Sequence, residues 1–426
     1  MFVFPGVRQG FRVAVAAAAT VAAFIALTGW STSSASAAEI WVSPDGGSWP
    51  CIESDPCSLE GAVSSGMISD GDSLLLTQGV HSITPETSLY FTPQVDIGPA
   101  PGAGRPVISQ PQLATATSAI VIFNAGSHIH DLAITVNGGG GALHLSGGVA
   151  DRLAVEVNGQ YGYGITAVNN AVVSNTVIRM AGENSIGAIS GAPSTRIVNS
   201  TIYGTAPGTI GVGSNTCYGG HTVEVINSLV EGAAQSFRML DQCEPGTHSI
   251  TTTAKNSAFN SSKIVTAGVN QTFNSVNSVD TNTVAPGLNN APLGDFRLTA
   301  ASPLIDAGSI DDVVPGSLDN LGRERVQGDG VDIGAFEFPV KPKLKLKAKR
   351  VSKGKKIKLR IRCDVACPRV KVKGGVKPKT VRNAKAGKWK KVTLKVKKPA
   401  ASKLKVKVTA FDVDGDRRQR TVTVRR

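Results

Sequence analysis

The chain has 426 residues, 18% of them charged and 5% aromatic, with a formal net charge of +14. So small an aromatic share argues against an extended carbohydrate platform, and beyond residue 37 no stretch is long and apolar enough to cross a membrane. The net charge hides an asymmetry: residues 341–426 hold 33 Lys and Arg against 4 Asp, which leaves 12 basic and 27 acidic residues for the rest.

Arg8 and Arg12 precede an apolar run from Val13 to Leu27 and then a Ser/Ala-rich stretch. Ala35-Ser36-Ala37 has the small-x-small spacing of a signal-peptidase site, so residues 1–37 are expected to be a secretory leader. The mature chain is then expected to be secreted, extracellular or cell-surface associated. Six cysteines in such a chain favour disulfides. The pairs closest in sequence are Cys51 with Cys57, Cys217 with Cys243 and Cys363 with Cys367, although spacing alone leaves the pairing open. A lone CxxxC without a nearby His argues against zinc there.

Ile40-Trp41-Val42 reads as a strand running into the Pro44-Asp45-Gly46 turn, and Ser58 as the N-cap of a short helix. Asp70-Gly71-Asp72 turns into a Leu74–Leu76 strand.

One phrase then recurs from His130 to Val279. It reads His-Asp-Leu-Ala-Ile from His130, Asp-Arg-Leu-Ala-Val from Asp151 and Ser-Asn-Thr-Val-Ile from Ser174. It continues as Val-Asn-Ser-Thr-Ile from Val198, Ile-Asn-Ser-Leu-Val from Ile226, Lys-Asn-Ser-Ala-Phe from Lys255 and Val-Asn-Ser-Val from Val276. Counted from the Asp or Asn, the steps are 20, 24, 24, 28, 29 and 21 residues, a period that signals stacked units. Each copy is a polar corner followed by a short β-branched strand, which cannot bury its face alone. Asn suits the corner because it tolerates a left-handed backbone. Asp131, Asp151, Asn175, Asn199, Asn227 and Asn256 are therefore expected in one column.

These residues resemble the right-handed parallel β-helix, or pectin-lyase-like, superfamily over roughly residues 40–337. The resemblance implies an all-β architecture and leaves the chemistry open, because that fold carries many activities.

Hydrolases of the fold need paired carboxylates, and lyases need carboxylate-held calcium with an Arg or Lys base. No DD, DxD or GHG-type cluster occurs between Asp131 and Glu244, and His128, His130, His144, His221 and His248 are scattered. The polar patch expected on loops is Tyr161, Tyr163, Arg179, Glu183 and Asn184, where two Tyr beside opposite charges could hold a sugar face. Catalysis is thereby left without a catalytic set. The rival reading is a polysaccharide lyase or glycoside hydrolase.

Ser302-Pro303-Leu304-Ile305-Asp306-Ala307-Gly308, Asp319-Asn320-Leu321-Gly322-Arg323 and Val331-Asp332-Ile333-Gly334-Ala335-Phe336-Glu337 form a second phrase. It resembles the closing region of the "choice-of-anchor Q" group of exported bacterial proteins. The expected role is a lid over the last coil, with Arg323 pairing Asp306, Asp332 or Glu337. The alternative is calcium held by Asp306, Asp319, Asp329 and Asp332, at a spacing unlike an EF-hand.

Beyond Pro339, charge and apolar residues alternate with period two. Six or seven short strands point to a small immunoglobulin-like β-sandwich, so the expected division is 1–37 leader, 38–338 β-helix and 339–426 Lys-rich module. Lys343, Lys345, Lys347, Lys356, Lys358, Lys395, Lys403, Lys405 and Lys407 then face outward and suit polyanions. In an exported chain these are anionic wall polymers or extracellular glycans; the leader and the shortage of stacking aromatics argue against nucleic acid.

Overall fold

The computed structural model describes residues 37–113, 117–216, 220–241, 248–328, 330–339, 344–348, 356–363, 367–385, 387–398, 403–411 and 417–425. The leader expected at 1–37 falls almost wholly outside the described residues, as do Cys217, Cys243, Asp329 and Lys343.

Three parallel sheets of ten, eight and nine strands wind around one core, a right-handed parallel β-helix. Each turn gives one strand to each sheet. Val149–Asp151, Ala154–Val157 and Tyr163–Val168 make one turn; Ala171–Ser174, Val177–Met180 and Ile186–Ser190 make the next. Strict register places like residues above one another. Ile129, Ala150, Val173, Ile197, Val225 and Ala254 form one buried column, and Ile134, Val155, Ile178, Ile202 and Val230 another. Every second side chain points inward and the spacing between turns is about 4.8 Å, so short strands pool into one continuous apolar rod. At its start, Ser58 caps the Leu59–Ser64 helix by accepting the Gly61 N–H at 3.0 Å, and Leu59 and Ala62 join the same core.

The corners form a column of left-handed residues: Asp131, Arg152, Asn175, Asn199, Asn227, Asn256 and Asn277, with φ between 48° and 55°. One expected member is displaced. Asp151 pairs with His130 below and Ser174 above, so it precedes the corner and Arg152 occupies it. Aligning the copies on their shared Leu-Ala brings Arg152, not Asp151, opposite Asp131. A long side chain is held there by the carboxylates of Asp131 and Asp151.

The residue after each corner supplies a hydroxyl ladder. The N–H of Leu153 donates to Thr176 Oγ1 at 3.1 Å, Thr176 to Ser200 Oγ at 3.1 Å and Ser200 to Ser228 Oγ at 3.0 Å. Ser228 donates in turn to Ser257 Oγ at 3.1 Å, and Ser257 to Ser278 Oγ at 3.3 Å. Each hydroxyl also donates to the carbonyl two residues earlier. The bend at the corner takes the next N–H out of the sheet ladder, and the hydroxyl replaces the missing acceptor.

The closing segment is not a lid over the final turn. It runs back along the flank of the nine-stranded sheet. Leu298, Leu304 and Ile333 pack on Leu229 and Ala258, while Ala291, Phe296 and Ala335 pack near Val177. Asn320 donates to the carbonyls of Leu153 and Asn175, both at 2.8 Å, and Gly334 donates to that of Asn227 at 2.9 Å. The outward side chains of that sheet are apolar at Val177, Leu229 and Ala258, and its corner carbonyls need donors, so a lateral strap satisfies both.

In the C-terminal region, Leu344–Ala348, Lys356–Cys363 and Lys390–Lys395 form a three-stranded antiparallel sheet. Lys379–Ala384, Cys367–Gly374, Lys403–Phe411 and Arg417–Arg425 form a four-stranded one. The two share a core that includes Ile357, Leu359, Ile361, Val370, Val372, Leu394, Val406 and Val408, as a sandwich requires. Disulfides join Cys51 to Cys57 and Cys363 to Cys367.

Candidate functional site

The outer face of the eight-stranded sheet carries a groove. In-register stacking lines up one outward residue per turn: Tyr90, Val121, His144, Thr166, Ile189, Gly213 and Arg238. Phe123 follows the Ser118–Ile122 strand, and its ring lies 6.3 Å from that of Tyr90 with 12° between planes. Both rings are about half exposed, at 50% and 54%. His144 lies 6.0 Å from Phe123, and Tyr163 closes the wall, its hydroxyl donating to the Thr117 carbonyl at 2.9 Å. The Tyr163 ring fits because Gly141 lies beneath it; a Cβ there would meet the ring at 2.2 Å. The resulting cavity is 530 Å³. Burial lowers the His144 pKa and raises that of Tyr163, which favours a neutral imidazole and a protonated phenol. The groove thus presents flat apolar faces with hydroxyl and imidazole edges, and Arg238 stands further along the same line.

Of the five residues expected to form a polar patch, Tyr163 alone lines this groove. Tyr161, Glu183 and Asn184 share an exposed corner between the nine- and eight-stranded sheets, where the Tyr161 N–H donates to the Glu183 carbonyl at 2.9 Å. Arg179 is elsewhere, on the nine-stranded sheet. It is ion-paired with its cross-turn neighbour Glu156 and donates to the Pro292 carbonyl at 3.3 Å beneath the strap. Tyr90 and Phe123 had no signal in sequence, since they lie 33 residues apart in the irregular early turns.

A second cluster lies on the ten-stranded sheet. Asp96 and His128 are register partners on adjacent turns, and His130, two residues on, faces the same way. Asp96 Oδ1 lies 3.2 Å from His128 Nδ1 and 3.5 Å from His130 Nε2. His130 Nδ1 reaches Asp131 Oδ2 at 2.8 Å, and Arg152 Nε donates to Asp131 Oδ1 at 2.7 Å. Hydrogen bonds to Asp131 and Asp96 push the His130 pKa up to about 9. Hydrogen bonds from the two histidines hold the Asp96 carboxyl well below the usual range. Burial opposes ionisation of Asp131, but His130 and Arg152 outweigh it and keep that carboxyl low as well. Beside Asp131, Arg105, Asn320 and Gly104 line a cleft of 500 Å³.

The acidic residues of the strap are engaged with it. Asp319 accepts from the Nε and Nη2 of Arg323 at 2.9 and 2.7 Å, so Asp319 is the ion-pair partner of Arg323 in place of the three acids expected. Asp306 accepts the Gly330 N–H at 2.7 Å; Asp332 accepts the N–H groups of Asp306, at 2.7 Å, and of Phe338. Arg325, overlooked in the sequence, is fully buried. It donates to the carbonyls of Asp332 and Gly334 at 2.7 and 2.6 Å and lies 3.3 Å from Glu337 Oε1.

On the sandwich, Lys345, Lys347, Lys356, Lys358, Lys395, Lys403, Lys405 and Lys407 are all exposed and alternate with buried or half-buried aliphatics. Trp389 lies 5.2 Å from both Lys347 and Arg360, and Phe411 lies 4.4 Å from Arg369.

No family model matches the chain, and no curated protein matches it. Among solved structures, a crystal structure of pectate lyase Pel9A is similar, with a TM-score of 0.43 and 13% identity over 71% of this chain and 97% of that one.

Proposed function

We propose that this is an exported protein that lays its β-helix against a glycan and is retained by its cationic sandwich on anionic wall polymers. The observation that carries the first part is the groove of Tyr90, Phe123, His144 and Tyr163, where two near-parallel exposed rings offer the flat apolar faces on which sugars stack. The straight run of outward residues from Tyr90 to Arg238 suits an extended chain better than a compact ligand. The cation at its far end favours a glycan carrying carboxylate groups. The rows of exposed lysine support the second part.

A panel of neutral and uronate-bearing oligosaccharides tests the groove. Binding is expected to weaken about 5-fold or more in Tyr90→Ala/Phe123→Ala, in line with the loss of two stacking faces at roughly 0.5–1.5 kcal/mol each. If that double variant binds every glycan as tightly as the unsubstituted chain does, the groove is not the contact surface.

A further inference from the structure

We propose that Asp96, His128 and His130 form a binding site for one divalent first-row transition ion of the Zn²⁺ class, with Asp131 and Arg152 as its supporting shell. The site is on a different sheet from the aromatic groove and does not depend on the glycan reading.

The donor atoms already converge. Asp96, His128 and His130 each offer one ligand atom within 4.8 Å of the others, and Asp96 Oδ1 lies 3.2 Å from His128 Nδ1 and 3.5 Å from His130 Nε2. A tetrahedral ion with ligand bonds of about 2.0–2.1 Å sets its donors roughly 3.3–3.4 Å apart. The fold supplies this spacing because His128 and His130 alternate to the same face of one strand and Asp96 is the register partner of His128. The two rings stack 4.5 Å apart at 21°, so binding one ion turns a ring to aim both nitrogens at it.

Two further observations separate a built site from a chance meeting of charges. The first is the far nitrogen of His130, held by Asp131 at 2.8 Å while Arg152 clamps that carboxylate through both Nε and Nη2. A metal-bound imidazole characteristically donates its other N–H to a carboxylate, which sets tautomer and ring orientation. The second is Gly98, the residue beside the His130 ring. A Cβ there would meet Cε1 and Nε2 at 2.5 Å, so the missing side chain is what lets the ring lie toward Asp96.

Two imidazoles with one carboxylate select a borderline ion over calcium, which takes oxygen donors alone. Three protein donors on a partly exposed face leave a fourth position for water or a ligand, the pattern of reactive rather than structural zinc.

The test is titration of the untagged, metal-free protein with Zn²⁺ and Co²⁺, read by calorimetry, by Co²⁺ visible absorption and by the imidazole NMR resonances. One ion per chain is expected, with the shifted imidazoles being His128 and His130. Asp96→Ala/His128→Ala is expected to abolish binding with its circular dichroism unchanged, since both side chains face outward. Asp131→Asn should weaken Zn²⁺ binding by roughly 10–100-fold, and Gly98→Ala should also lower affinity. Binding that survives in the double variant would overturn the assignment. So would the absence of any Zn²⁺-induced shift of those two imidazoles in the unsubstituted protein, a readout that needs no variant to fold.

Discussion

The Ser200 amide donates to the hydroxyl of Ser228 at 3.0 Å, one full turn along the coil, and that hydroxyl donates to the Ile226 carbonyl at 2.8 Å. One oxygen therefore closes its own corner and completes the neighbouring one. Both serines are fully buried, so no water can replace either bond.

Ser228→Ala is expected to cost about 1–3 kcal/mol, the penalty for a buried donor left without an acceptor. Contacts in a stacked coil are chiefly between neighbouring turns, so the loss should be local. Hydrogen exchange should quicken at Ser200 and the adjoining turns and change little near Leu74. Uniform acceleration along the whole rod would refute a local ladder.

Asn199 is buried at a corner with φ of 50°. Asn199→Ala should destabilise by about 1–2 kcal/mol through the left-handed backbone alone. Asn199→Gly removes the same amide group without that backbone cost, so it should be the milder change. Urea midpoints of the two variants, compared directly, check the order.

Burial pushes the Glu337 carboxyl up to about 8, in contact with a fully buried Arg325 whose own pKa burial lowers. The folded chain then keeps a proton that the unfolded chain releases near 4.5. Stability should therefore fall as pH rises from about 4.5 to about 8 and level off above that. Glu337→Gln should remove this component of the slope. Unfolding midpoints across that pH range provide the measurement.

Retention by the sandwich should be electrostatic. Binding of the full chain to an anionic polymer such as polygalacturonate should weaken steeply between low salt and about 1 M, where the screening length falls to about 3 Å. Charge reversal at Lys345, Lys358 and Lys405 should mimic high salt. Binding insensitive to both would point to a different contact surface.

The coil was legible because its determinants are local. Asn tolerates a left-handed bend and the following Ser or Thr carries its own acceptor, so each copy of the phrase announces a corner by itself. The limit of that reading was Asp151, where residue type suggested one corner position and cross-turn register selected the next, Arg152. The strap showed the same limit. Its Asp, Gly and Arg residues marked tight turns, but the surface it covers is composed of one side chain from each of several strands.

By itself, the sequence determined an all-β rod built of stacked turns, an acidic body and a Lys-rich sandwich, because periodicity and charge are properties of neighbouring residues. Tertiary structure alone decided that Tyr90 meets Phe123, that Asp96 meets His128 and His130, and that Arg325 is sealed beside Glu337. Those pairings come from different turns of unequal length, or from a strap folded back over the rod. Their register is set by how each intervening loop closes, and no local pattern encodes that.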